Sequence, residues 1–275
     1  AADGPRAPCQ ENRRHGPPQN NTLGVSRHML SPAVDFEVQL ELFRTEAESA
    51  IQFFYAWSAV NAVAARDKTV FRLLNQAPLF WNTSLGALQT SALVALGRVF
   101  DPDPKNHSVT RLVALAHANP DIFSKHSLAD RKRKGNENAH EWLPDYLKSV
   151  YVPNSEDFRR LKRHLSDRRK IYETNYRPLR HKVFAHRGVA TRVEVAELFA
   201  KTNVKEMQKL LVFLGRFHEV LWQLYFNGRK PTLSPARFSV KRILEQPSPN
   251  SKHGKLQERL IHETQAFLAA HARDA

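Results

Sequence analysis

Residues 176–188 read YRPLRHKVFAHRG, with three arginines, one lysine and two histidines around a small apolar spine. Arginine presents planar donors that suit phosphate oxygens, and a histidine poised near neutral pH can accept or release a proton. Arg180 and His186 stand six residues apart. On an ideal α-helix that spacing is an offset of about 120° and roughly 9 Å along the axis. The reach of arginine could bring the two towards one phosphate, above all if a second subunit completed the site. Leu179, Val183 and His186 fall along one stripe, so the imidazole continues the core-facing edge. The negative end of the helix dipole favours imidazolium there, while Lys182 and Arg187 oppose it. A plainer role is open to His186, as a cap on the last helix carbonyls. Spacing by itself favours that role, because an arginine and a histidine six apart occur by chance in many proteins.

The wider segment 156–187 holds eleven Lys or Arg against four acids, a net +7. This is about half of the excess of the whole chain, which carries a formal charge of +15 over 275 residues. Such a field attracts a polyanion, most often a nucleic-acid backbone. Arg168, Arg169, Arg177, Lys182 and Arg187 are the side chains expected to meet it. The plain alternative is a protein that is merely basic.

Other chemistries find little support. None of the 13 histidines sits in a zinc-finger or H-E-x-x-H frame. His181 and His186, five apart, fall on different faces of an α-helix. Cys9 is the single cysteine and lies in a polar, proline-rich lead, so no internal disulfide can form and nothing argues for secretion. Nucleophile-elbow, P-loop and dinucleotide fingerprints are missing. No metal and no cofactor are expected. The longest uncharged run, residues 73–97, contains Asn75, Gln76, Pro78, Asn82 and Gln89, too polar for a membrane span and suited to a core helix. A soluble, cytoplasmic protein is expected.

The elements that must position the basic segment are helices. Glycine is scarce, at 10 residues, and β-branched runs are short. Residues 1–30 lack apolar periodicity and read as a disordered lead, with Met29 a candidate true start. Ser31 and Pro32 open a long helix that runs towards Arg66, with Phe36, Leu40, Phe43, Ala47, Ile51 and Phe54 near one face. A break at Pro78 leads to a second long helix over 79–100, stopped by DPDP at 101–104. Ser108 caps a shorter helix, and 127–141 reads as a polar loop whose basic run, 131–134, is a solvated turn. A helix starting near Ser155 must break or kink at Pro178, and a short helix then carries 179–187 to a stop at Gly188. Asn203 and Glu206 form a cap pair for the last core helix, which ends at Gly228. A linker and one amphipathic helix, about 255–270, close the chain. The sum is an all-α, antiparallel helical bundle with an extra C-terminal helix.

RHKVFAHR resembles the arginine-to-histidine motif of the HEPN superfamily (higher eukaryote and prokaryote nucleotide-binding domains), in which a polar residue tends to follow the arginine, as His181 does. The surrounding pattern resembles the abortive-infection AbiU-like branch: ALGRVFD at 95–101, PNSEDFRRLKRHL before the motif and LYFNGRKP after the last core helix. The resemblance covers 31–231, leaving 232–275 as linker and tail helix. It implies a HEPN-type bundle, often dimeric, and in many members a metal-independent endoribonuclease of a toxin or phage-defence system. Carried onto this chain, Arg180 would stabilise the scissile phosphate and His186 would act as general base or acid for attack by the ribose 2′-hydroxyl. His181 would be the auxiliary polar group, although it is itself titratable where many relatives carry Asn. The expected partners are RNA, a second copy of the chain and a neutralising antitoxin, with no membrane. The competing expectation is a non-catalytic module that binds RNA or a nucleotide.

Overall fold

The computed structural model describes residues 31–103, 105–185, 192–235, 238–247 and 255–273. The expected disordered lead with Met29 and Cys9 lies outside these residues, as do His186, Arg187 and Gly188. Among the described residues the protein is helical, with no strand.

The first long helix, α1 (Pro32–Ala64), starts where a cap was expected: the Ser31 side chain accepts from the Val34 N–H, and Pro32 takes the first position. It packs most extensively against α3 (Pro78–Val99) and the last helix, α12 (Leu256–His271). Between α1 and α3 lies α2 (Lys68–Gln76), capped by Asp67, which accepts from the Thr69 and Val70 N–H groups. Helix α2 was not expected from the sequence, and Val70 is its one buried residue. Helix α4 (Val109–Ala118) is capped by Ser108 as expected, and a 3-10 turn, Pro120–Phe123, follows it.

The basic run expected as a solvated turn is helical. Helix α5 (Lys125–Arg133) is capped by Ser124 and buries Leu128 and Ala129; α6 (Ala139–Lys148) follows. Arg131 lies 3.8 Å from the Tyr225 ring centroid and donates to the carbonyls of Ile122 (2.9 Å) and Tyr225 (2.8 Å). Lys132 donates to Asn227 Oδ1 at 2.9 Å. These cations join α5 to the end of α10 (Val204–Asn227), so they serve the fold. A mostly polar sequence hid an amphipathic helix whose long side chains lie along an apolar partner.

Helix α7 (Ser155–Ile171) has Asn154 as its cap, and Asp157 closes the box while accepting from the Tyr151 hydroxyl at 2.6 Å. It runs antiparallel to α10: Phe123 bridges Phe158 and Tyr225 near one end, and Asn175 donates to Glu206 beyond the other. After a further short helix α9 (Arg192–Ala200), α10 is capped by Asn203, which accepts from the Lys205 N–H at 2.8 Å. Glu206 does not complete a capping box; its carboxylate accepts from Asn175 instead.

Helix α11 (Val240–Leu244) and α12 bury Val240, Ile243, Ile261 and Leu268 in the same core as α1. The tail helix is thus part of the bundle.

Gly228 ends α10 at φ +57°, where a Cβ would lie 2.6 Å from Val150 Cγ1 and 3.0 Å from Leu128 Cδ2. Left-handed strain and overpacking together make Gly228→Ala cost on the order of 2–4 kcal/mol. The urea midpoint should fall accordingly.

His218, on α10, sits beside Arg44, which is paired with Glu41 and Glu48. Burial, seconded by the Arg44 charge, holds the imidazole below its ordinary value. As pH falls, the unfolded chain therefore takes up this proton first. The group's contribution to stability is full above about pH 6.5 and is lost as pH falls through that value towards the lowered one. In urea titrations between about pH 7.5 and about pH 5.5, His218→Gln should show a smaller fall in midpoint than the native chain.

Candidate active site

Pro178 does not end the helix that precedes it. Ile171 passes directly into a π-helical turn, Tyr172–Tyr176, then one α-turn, α8 (Arg177–Leu179), then a second π segment, Arg180–Ala185. The Arg177 N–H donates to the Tyr172 carbonyl, five residues back. Proline cannot donate and its ring would collide with the carbonyl of Thr174 in an α-turn. Widening the turn by one residue relieves both conflicts, so helical winding continues past Pro178. Such π-bulges occur frequently at functional sites. The offset of Arg180 and His186 read from α-helical geometry therefore does not apply: Arg180–Ala185 is wound more widely.

The anchors of this stretch are buried. Tyr172, Tyr176 and Leu179 are almost fully enclosed, and Val183 packs against the core. The Tyr176 hydroxyl donates to the Asn203 carbonyl at 2.9 Å. Asn175 donates to Glu206 at 2.8 Å, so the start of α10 holds the first π-turn from one side.

From the other side α3 holds Arg180. A Cβ on Gly97 would lie 2.5 Å from Arg180 Cζ and 2.6 Å from both Nε and Nη1. The guanidinium therefore rests directly on the α3 backbone, on a surface that only glycine leaves open. Gly97 lies in the last turn of α3, where the negative end of the helix dipole favours a cation. Phe100 stacks on Tyr172 with ring centroids 5.1 Å apart and planes 21° apart. Burial pushes the Tyr172 phenol above its ordinary value, and the nearby Arg180 charge opposes that push. Arg180 Nε is buried without a hydrogen-bond partner among the described residues. An unpaired guanidinium N–H in such a place is costly unless a ligand or water meets it.

The residues expected to act together are only partly gathered. Arg180 and His181 are neighbours on the second π segment, each half-buried. Arg177 is exposed one turn earlier, and Lys182 is exposed beside them. Arg168 turns to α10, with its Cζ 5.7 Å from the Phe213 centroid, whereas Arg180 faces α3. Arg169 is bound to Glu173 at 2.7 Å. His186 and Arg187 lie outside the described residues. Gly97, Phe100 and Tyr172 were not among the candidates. The one local signal for Gly97 is a glycine inside a helical apolar stripe, which costs about 1 kcal/mol relative to alanine and so asks for a packing reason.

No three His, Cys, Asp or Glu side chains among the described residues come together in a way that could hold a metal ion. No helix among them is long and apolar enough to cross a membrane.

Residues 33–248 match the family model HEPN_AbiU2, described as AbiU2. The chain belongs to the HEPN AbiU2 family. The AbiU2 match takes in α11 as well as the bundle before it. Comparison with curated proteins and with solved structures finds no match. The ALGRVFD stretch that carried part of the resemblance has a physical role here: its glycine seats Arg180, and its phenylalanine stacks against Tyr172.

Proposed function

We propose that this AbiU2 protein is a metal-independent endoribonuclease of a phage-defence or toxin system, acting in the cytoplasm. The observation that carries the reading is Arg180, whose guanidinium is set on the α3 backbone with a buried, unpartnered Nε. A planar, prepositioned donor set of this kind suits the charge that develops on phosphate oxygens during transfer. His186 accepts the proton of the ribose 2′-hydroxyl or delivers one to the departing 5′-oxygen, and water makes the other of these two transfers. The O2′–P bond forms as the P–O5′ bond breaks, leaving a 2′,3′-cyclic phosphate on one fragment and a 5′-hydroxyl on the other. His181 assists at the same phosphate. RNA supplies its own nucleophile, held beside the phosphorus by the ribose, so proximity does much of the work. A second copy of the chain, bringing its own Arg180 segment, is the proposed partner for assembly, and a neutralising protein is the proposed partner for control.

The test is incubation with total RNA in excess EDTA. Native protein should cut RNA and leave DNA intact, while His186→Ala should be slower by about two to four orders of magnitude. Binding of RNA without any cleavage product would instead make the protein a binding module.

A further inference from the structure

The face of α10 that looks away from Arg180's seat on α3 carries a pattern of its own. Lys205, Lys209, Val212 and Arg216 stand at i, i+4, i+7 and i+11, one stripe of the helix. The three cations are exposed, and they span about 16 Å along the axis. Opposite them, antiparallel α7 presents His164 and Arg168, four residues apart and so on one face. Phe213 lies between the rows, under Arg168. A cavity of about 380 Å³ fills the space, bounded by these side chains and by Leu233, Ser234 and Pro235. A second, of about 440 Å³, adjoins it through Lys209 and Val212 and reaches Arg242 on α11. Among the described residues no carboxylate lines either one.

The cations of this groove differ from their neighbours. Elsewhere on α7, Arg159 pairs with Glu156, Arg160 with Asp157 and Arg169 with Glu173. Among the described residues none of Arg168, Lys205, Lys209, Arg216 or Arg242 takes part in an ion pair. Glu219 ends the stripe at its far side. Like charges held in two facing rows repel, and the arrangement is relieved when an anion lies between them.

We propose that this groove is a second binding track, which holds the sugar–phosphate backbone of single-stranded RNA away from Arg180. The groove between the two helices, with adjoining cavities of about 380 and 440 Å³, admits one strand. Duplex RNA is gripped instead from outside, across its wide minor groove. Phe213 offers a ring on which a base can stack, and stacking is tolerant of sequence. The track rests on the ribonuclease reading only for the identity of its ligand. It lets the protein hold a long strand at one place while the phosphate at Arg180 is exchanged.

The probe is a short fluorescent 2′-O-methyl oligoribonucleotide, which has no free 2′-hydroxyl and stays intact, so binding is read apart from cleavage. The double variant Lys209→Glu with Arg216→Glu should bind it at least about tenfold more weakly. The dependence of log K on log salt should be shallower by about 0.7 for each phosphate that the variant no longer neutralises. Arg168→Ala should weaken binding from the opposite wall without reversing a charge. Lys125→Glu, on α5, should leave binding within about twofold, as an exposed charge outside the track. Native affinity in the double variant and in Arg168→Ala would overturn the proposal, as would groove-dependent binding of anionic vesicles without binding of the oligonucleotide. Loss of cleavage in Arg180→Ala with probe binding intact would leave the track standing whatever the fate of the cleavage chemistry.

Discussion

Arg180→Lys is expected to lower the cleavage rate by about two to three orders of magnitude, although it keeps the positive charge. Lysine is a compact point charge on a flexible stem, whereas the guanidinium presents donors in a fixed plane. In this fold the plane is set by the α3 backbone at Gly97 and by the turn that carries Tyr172. A lysine there would keep the long-range attraction for RNA and lose the oriented donors at the phosphate. The effect should therefore appear in the single-turnover rate, with little change in affinity for the uncleavable probe. Arg180→Ala should be at least as slow and should fold normally, because the side chain is half-buried and makes no ion pair among the described residues. A lysine variant with native rate would remove the oriented donors from the account.

Gly97→Ala separates positioning from folding. A methyl group at this place would come within 2.5 Å of Arg180 Cζ, and the far end of a flexible side chain moves more readily than a helix backbone. The guanidinium should swing off its seat, and a displacement of about 1 Å can cost a hundredfold in rate. Meanwhile alanine is favoured over glycine inside a helix by roughly 1 kcal/mol. The expected result is an uncommon combination: cleavage falls by about a hundredfold while the melting temperature holds or rises. Loss of both together would mean that Gly97 serves packing alone. Retention of both would mean that the position of Arg180 does not matter.

Much of the scaffold was legible because its signals are local. Ser31, Ser108 and Asn203 cap the helices they were expected to cap, and Gly228 ends α10 in the left-handed conformation. The apolar stripes of α1 and α10 match their buried residues, among them Phe36, Leu40 and Phe43 on one and Leu210, Leu214 and Phe217 on the other. What stayed hidden depends on distant neighbours. The α5 cations read as solvated until Tyr225 and the Ile122 carbonyl are seen beneath Arg131. Pro178 read as a break or a kink because the rule for proline assumes an α-turn, whereas a wider turn lets the helical winding continue. At the candidate site the arginine was visible, but its seat was not: Gly97 precedes Arg180 by more than eighty residues. The stripe of cations on α10 has a helical period, yet the denser charge of α7 overshadows it in the sequence. Its meaning emerges only when the ion pairs of α7 are set beside it.

The central claim is that Arg180 and His186 let RNA cut itself through its own 2′-hydroxyl. The most direct measurement is the chemistry of the new ends after incubation of RNA with native protein and with Arg180→Ala in excess EDTA. The account predicts 2′,3′-cyclic phosphate and 5′-hydroxyl ends with native protein and almost none with the variant. Fragments that carry 5′-phosphate ends, or that form only when a divalent metal is restored, would contradict it.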